Sequence, residues 1–477
     1  MYKPLSLLPL ILLAACMAGP DFERPAPPSA AAGYAPADAQ SVAMGADPAE
    51  RWWQAFGSLA LDNLVERAIE RNQTLAASRA TLQRARERIA AARGKALPQV
   101  DANAQVSYEQ VNLSAIGLSE RAGAAGIGNP EFDLYTIGGG VTYDLDLFGR
   151  NRRALERAVA EAEAQQRATE AAHLLIAGRV VTQVLTIAAL NDRIATERAL
   201  LAEDERNVTL TEMRQRAGAG TLVEVLSAQG QLAGDRATLP QREQELAEAR
   251  ANLAVLLGIS PAELEPTEFS LDSFTLPTRI PVALPSTLVH RRPDILEAES
   301  RLHAATAGIG VATAALYPNV TLGASMTQSS SDPDSILSSR FTGFDLFGGL
   351  TAPIFHGGTL KAEKRGAEAA ARAAAADYRQ TVLEAFGQVS NLLSALDTDE
   401  RTLTAQQASA QVAERSLHLS RRSFQVGNSG ILQVLDANRS YQRARLELVD
   451  ARMRQYLNVA RLHVATAGGW ITGEQAR

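Results

Sequence analysis

The sequence predicts a mixed α and β membrane protein, in which long α-helical coiled-coil hairpins carry a small set of transmembrane strands and the plan occurs twice. Three observations predict this. Two proline-free stretches, at about 151–217 and about 361–426, are far longer than ordinary globular helices. Four shorter stretches alternate apolar with polar residues, the period of a strand with two unlike faces. The turn Gly427-Asn428-Ser429-Gly430-Ile431-Leu432, running on to Leu435-Asp436-Ala437 and Arg439, has an imperfect copy about 209 residues earlier, from Gly218-Ala219-Gly220-Thr221 to Gln229. A repeat of this kind means one design used twice.

The chain has 477 residues and a net charge of −6, which gives no general attraction to nucleic acid. Aromatic residues are 5% of the chain and alanine is abundant, a composition that suits long, closely packed helices. The single cysteine, Cys16, rules out a disulfide framework or a zinc cluster. It follows Lys3, an apolar run from Leu5 to Leu13, and Leu13-Ala14-Ala15. This is a secretory signal, residues 1–15, ending in the leucine-small-small-cysteine pattern of bacterial lipoprotein cleavage. An ordinary signal peptide with a coincidental cysteine is the alternative. Cleavage before Cys16 would leave an acylated, lipid-anchored chain. Met17, where an aspartate would favour inner-membrane retention, points to the outer membrane. No later stretch reads as a transmembrane helix.

Residues 16–58 form a lipidated arm, kept extended by Pro20, Pro25, Pro27, Pro28 and Pro36. The first repeat, 59–258, opens with a helix over 59–97, striped by Leu61, Leu64, Val65, Ala68, Leu75 and Leu82, that stops at Pro98. A strand follows, with Val100, Ala102, Ala104, Val106 and Tyr108 on one face and Gln99, Asp101, Asn103, Gln105 and Ser107 on the other. After a Gly-rich loop at roughly 110–134, a second strand places Val141, Tyr143, Leu145 and Leu147 opposite Thr142, Asp144 and Asp146. The helix at about 151–217 has a seam of Val180, Val184, Ile187, Leu190 and Ile194 and would be roughly 100 Å long. It turns at 218–221 into a helix at about 222–258.

Residues 259–285 form a proline-rich linker or equatorial segment. The second repeat, 286–467, follows the same order: a helix at about 286–316, a strand from Val320, a polar loop at 328–340, and a strand running to Phe355-His356-Gly357. A helix at about 361–426 then carries a seam of Val382, Phe386, Val389, Leu392 and Leu396, and a last helix covers about 431–467. A short tail, 468–477, ends the chain. Four strands leave two edges that a bilayer cannot satisfy, and outer-membrane barrels have at least eight. Several copies would therefore share one barrel. A soluble sandwich is the alternative.

The chain resembles the TolC-type outer-membrane efflux factors, in their lipoprotein branch, over nearly its whole mature length. The resemblance rests on Pro20-Asp21-Phe22, Trp52-Trp53-Gln54-Ala55-Phe56, Asp144-Leu145-Asp146-Leu147-Phe148-Gly149-Arg150, and above all Arg291-Arg292-Pro293-Asp294-Ile295 with Tyr317-Pro318. It implies a homotrimer with a shared twelve-stranded barrel and a periplasmic helical tunnel. The implied role is the exit duct of a tripartite efflux pump, joined by a periplasmic membrane-fusion adaptor to an inner-membrane transporter of the RND type. It also implies a periplasmic gate: Leu432 in an apolar ring, Asp436 in an acidic ring, and Arg439 paired with a carboxylate. Packing, for Leu432, and capping or solvation of a helix, for Asp436, are the plain alternatives. Ser227 stands where the second repeat has Asp436, so the gate would be asymmetric between repeats.

Gly218, Gly220, Gly427 and Gly430 are candidate turn residues and adaptor contacts, and Arg291, Arg292, Pro293 and Asp294 read as a structural motif. The six histidines are scattered and none forms a His-Glu-x-x-His pair, so no catalytic residue, metal site or cofactor is expected. Metal-ion efflux, a type I secretion channel beside an ABC transporter, and a non-conducting coiled-coil lipoprotein scaffold remain as other functions.

Overall fold

In a computed structural model of the chain, the described residues are 17–26, 42–46, 49–112, 129–265, 268–277, 279–338, 340 and 342–466. The signal peptide, Cys16 and the tail at 468–477 lie outside them. Two compact units are present, one drawn from residues 1–24, 83–163 and 300–376, the other from 25–82, 164–299 and 377–477. Each draws on both halves of the chain.

The first unit holds a four-stranded antiparallel sheet in the order β2-β3-β5-β6: β2 Gln99–Gln110, β3 Glu131–Asp144, β5 Asn319–Ser330 and β6 Thr342–Thr351. Its register aligns the alternation across strands. Val100 lies opposite Val141 and Val141 opposite Ala324, which lies opposite Leu346; Met326 lies opposite Phe344, and Val320 opposite Leu350. One face is thus apolar over all four strands, and it is open: Val100 is 77% exposed and Phe344 81%. Across the other face lie Gln99, Asp101 and Asn103 opposite Thr142, Gly140 and Gly138. Phe347 breaks the pattern there, and its ring fills the space above Gly323, where an added Cβ would collide with it.

Strand limits differ from the sequence expectation. β3 begins well before Val141 and ends at Asp144 rather than Leu147, and β6 ends at Thr351 rather than at 355–357. Asp146 explains the first stop. It turns with φ 47°, and its carboxylate accepts the backbone N–H of Asn151 (2.9 Å) and of Arg152 (3.0 Å), capping the following helix, α3 Arg150–Arg216. Pro353, which has no N–H to give a ladder, follows closely on the second. The arm also packs in this unit. Buried Arg153 donates to the carbonyls of Ala18 and Gly19 and to Asp21 (2.7 Å), and Phe22 stacks on His303 with ring centres 4.4 Å apart.

The second unit holds the main core. It gathers Trp52, Trp53 and Phe56 of a 3-10 turn, Leu61, Val65 and Ala68 of α1 (Leu59–Arg71), and the seam of α3. Val382, Phe386 and Val389 of α7 (Thr359–Gln425) and Leu457 and Leu462 of α8 (Ile431–Thr466) complete it. The arm and the linker meet here: β1 Val42–Met44 pairs in parallel with β4 Ile280–Val282. α3 contains a window long and apolar enough to cross a membrane, against the sequence expectation, but 67% of that window is buried as core seam.

Two expected helices are broken. The one at 59–97 divides at Asn72 into α1 and α2 Gln73–Lys95. Asn72 is extended at ψ 125°, its Oδ1 accepts the N–H of Thr74 (2.9 Å) and Leu75 (3.2 Å), and its Nδ2 donates to the carbonyl of Leu256 (2.8 Å). A side chain that competes for backbone partners ends one helix and caps the next. The helix at 286–316 divides into α5 Pro285–Val289 and α6 Pro293–Ala314, because Pro293 removes a donor and disfavours helix in the residue before it. Arg292 secures that break. It forks onto both oxygens of Asp294 (3.0 and 2.7 Å) and reaches Gln388 (3.0 Å) and the carbonyl of Ala465 (3.1 Å).

His463 is 2% exposed, stacks on Trp52 at 5.5 Å, and neither ring nitrogen has a hydrogen-bond partner. Burial lowers its pKa from 6.5 to about 4. Above 6.5 neither folded nor unfolded protein holds this proton. Between 6.5 and 4 only the unfolded chain takes it, so stability falls as pH falls, by up to about 1.4 kcal/mol per unit. His463→Phe keeps the stack, and thermal unfolding of this variant should lose that part of the pH dependence. An identical pH slope in both proteins would remove His463 as its source.

Candidate functional site at the hairpin ends

Two helical hairpins, α3 with α4 (Leu222–Leu256) and α7 with α8, turn in the same way. Gly218 N–H reaches the carbonyl of Gln215 (3.0 Å) and Ala219 N–H that of Arg214 (2.9 Å); 209 residues on, Gly427 reaches Phe424 (3.0 Å) and Asn428 reaches Ser423 (2.9 Å). This paired closure needs a left-handed residue, and Gly218 and Gly427 supply it at φ 73° and 82°. Gly220 has a different reason to be glycine: a Cβ there would come within 3.2 Å of the Gln215 backbone nitrogen. Gly430 has open space around it. α4 starts with a reciprocal capping box between Thr221 and Glu224.

Behind the turns the hairpins share a small apolar cluster. Ala228, Leu417, Phe424, Ile431, Val434 and Leu435 pack together, and Arg214 lies over the Phe424 ring at 4.4 Å. The period of α8 then decides what remains outside. Ile431, Val434 and Leu435 are buried, whereas Leu432 is 50% exposed and Asp436 is exposed. Leu432 thus keeps half of its surface outside this cluster, and Asp436 is in contact with solvent, as the plain alternative of a solvated acid also expects. Arg439 is also exposed and donates Nε–H to the Gln231 side-chain oxygen, an amide where a carboxylate was expected.

A polar network lies one turn further into α8. Asp204 of α3, 1% exposed, accepts Asn438 Nδ2–H (2.8 Å) and Gln442 Nε2–H (2.9 Å). Gln231 Nε2 donates to Asp235 (2.6 Å) and to Gln442 (3.2 Å). Burial first, and a hydrogen bond with Asp235 next, push the Asp204 carboxyl from 3.8 up to about 7. Sequence reasoning missed this cluster. Asp204 stands in the run Glu203-Asp204-Glu205-Arg206, where nothing marks one acid as the buried one. Among the described residues no group of His, Cys, Asp and Glu could hold a metal ion.

A sheet with one exposed apolar face, joined to long paired hairpins whose ends leave a leucine and an acid outside, defines a subunit of a membrane channel. A profile of the outer membrane efflux protein family matches residues 64–259 and 284–468, one match for each repeat, and the chain belongs to that family. It is similar to the pyoverdine export outer membrane protein OpmQ of Pseudomonas aeruginosa, at 30% identity over 99% of each chain. It is also similar to the probable outer membrane lipoprotein SilC of Salmonella typhimurium, at 26% identity over 98% of this chain and 99% of that one. Among solved structures, the outer-membrane channel OprN superposes with a TM-score of 0.87 at 28% identity, covering 95% of this chain and all of that one. The protein is an outer membrane efflux channel, and the resemblance and TolC-like fold expected from sequence are its own.

The four glycines differ in what they tolerate. Gly218→Ala and Gly427→Ala place a Cβ in the left-handed region and should each lower thermal stability by about 1 kcal/mol. Gly430→Ser, at the start of α8, should leave stability unchanged or raise it. Equal losses at all three positions would mean that the turns are not held by the left-handed residues.

Proposed function

We propose that the protein is the exit duct of a tripartite efflux pump, taking small molecules from a periplasmic adaptor and an inner-membrane transporter of the RND type and releasing them outside. The observation that carries this reading is the sheet: four strands with one apolar face and two free edges. The apolar face suits lipid, and strands of 10 to 14 residues suit the thickness of a bilayer. The free edges require other copies of the chain. Three copies give twelve strands, so the working form is a homotrimer. The channel conducts its cargo and does not transform it.

Cys16 is the lipid attachment point in this reading. Ala18, two residues on, hydrogen-bonds the carbonyl of Phe148 at 3.1 Å, in the short link between strand and helix. That link is where a strand leaves the bilayer, so an acyl chain on Cys16 would enter the same membrane. The similarity to a probable outer membrane lipoprotein supports it.

Leu432 and Asp436 form the gate, and the hairpin turns at Gly218, Gly220, Gly427 and Gly430 are the contact for the adaptor. Three leucines near an axis can exclude water, and three carboxylates there repel one another and favour cations. Leu432→Ser and Asp436→Ala should each raise the single-channel conductance of the isolated protein in planar bilayers. Unchanged conductance in both would sink the gate assignment.

The cargo is a diffusible small molecule such as a drug or a secreted product. A deletion strain should become sensitive to amphipathic dyes, detergents or antibiotics, or should retain a secreted product, and the intact gene should restore it. Sensitivity confined to copper, silver, zinc or cobalt would replace this reading with metal-ion efflux.

A further inference from the structure

The two hairpins are copies of one design, yet their second helices differ in stiffness. α4 carries Gly230, Gly234 and Pro240. At the matching positions, 209 residues on, α8 carries Arg439, Arg443 and Val449, and it has neither glycine nor proline over its whole length. Glycine in a helix interior loses more backbone freedom on folding than any other residue, and proline removes the bond to the carbonyl four residues back. In α4 that carbonyl belongs to Arg236. The Thr238 hydroxyl also donates to the carbonyl of Asp235 (2.8 Å), a side-chain bond that competes with the helical ladder. Close packing does not account for the glycines, because a Cβ added at Gly230 or Gly234 would meet nothing within 4 Å.

A second observation falls on the same segment. α4 is buried at its two ends, through Val225, Ala228 and Leu232 toward the turn and Ala249, Leu253 and Ala254 toward the main core. Between Leu232 and Ala249 none of its side chains is buried, although Leu239 and Leu246 are partly so. Ion pairs join this stretch to α3 instead. Arg236 pairs with Glu205, both more than half exposed, and Glu243 with Arg198 at 2.7 Å. Exposed pairs of this kind do little to hold a helix in one place. Arg242 lies 3.7 Å from the buried Glu197, beyond hydrogen-bond range. The matching stretch of α8 is packed throughout, by Gln442, Ala444, Ala451, Tyr456 and Leu457.

We propose that residues 233–248 of α4 are a hinge, at which the first hairpin bends while α8 moves as a stiff rod when the channel opens. The parts on either side of the hinge stay packed. Toward the turn, Ala228 shares the apolar cluster with Ile431 and Leu435 of α8, and Gln231 bonds Arg439 and Gln442. A moving α8 therefore takes the tip of α4 with it, and α4 changes path where both its helical bonds and its packing are weakest. The effect on conductance rests on the reading of Leu432 and Asp436 as the gate, since both lie on α8.

Replacing one solvent-facing helical glycine by alanine strengthens the local helix about fivefold. Gly230→Ala combined with Gly234→Ala should thus disfavour the bent form by up to about 25-fold. Pro240→Ala, made alone, restores a donor for the Arg236 carbonyl and acts in the same direction.

The test uses the full-length protein in lipid bilayers and reads two signals. Amide hydrogen exchange over 233–248 should be at least about tenfold faster than over the matching residues 442–457 of α8, and the double glycine variant should slow it by about tenfold or more. Pro240→Ala should slow it too, and serves if the double variant does not assemble. Open probability should fall by about tenfold in these variants. It should stay unchanged in Gly387→Ala, because that glycine of α7 is equally open to an added Cβ but lies outside the hinge. Equal exchange in the two matching stretches overturns the hinge. Slowed exchange with unchanged opening overturns its part in opening, and an equal fall in Gly387→Ala overturns its location. Failure of the gate reading is distinct, because it leaves the exchange difference intact while substitutions at Leu432 and Asp436 change nothing.

Discussion

The backbone hydrogen bonds at the edges of a sheet are the constraint on which the rest depends. Among the described residues β2 and β6 each have one neighbouring strand. In hydrocarbon their outer N–H and C=O groups have no water to turn to. The protomer is therefore not a complete membrane structure, and its apolar face is large and open for the same reason. The repeat meets this constraint economically: each half supplies one hairpin of strands, and the register of β3 with β5 joins the halves with their apolar residues on one side.

The same division between buried and open faces runs through the helices. Ordinary core packing fixes Trp52, Phe56, the α3 seam and the α7 seam around the linker. Near the turns the core narrows to a few residues, and the helices are joined instead by polar contacts among Asp204, Gln231, Asn438 and Gln442. Hydrogen bonds between side chains contribute modestly and depend on protonation, whereas the apolar core below them does not. The gate proposed at the hairpin ends would thus lie where the contacts are weaker and more adjustable.

Individual residues explain where the legible pattern stopped. The helical period continues through Asn72, so nothing in the apolar spacing announced that its side chain would cap the next helix and bind Leu256. The same holds for Asp146, whose capping of α3 cut a strand short of where alternation alone would have carried it. Arg439 was expected on a carboxylate and lies on Gln231, because its partner comes from another helix 208 residues away in sequence.

The sequence by itself determined the repeat, the two long helices, the alternating strands and the need for several copies. These follow from local periodicity, from glycine at the turns and from the cost of an unpaired edge in lipid. Only the tertiary structure decided which charged residues are buried. Asp204 and its neighbours Glu203 and Glu205 are alike in composition, and the faces that α4 and α8 present to α3 select the one that loses contact with water. Burial and hydrogen-bond partners arise between segments far apart in the chain, so they become visible only when those segments meet.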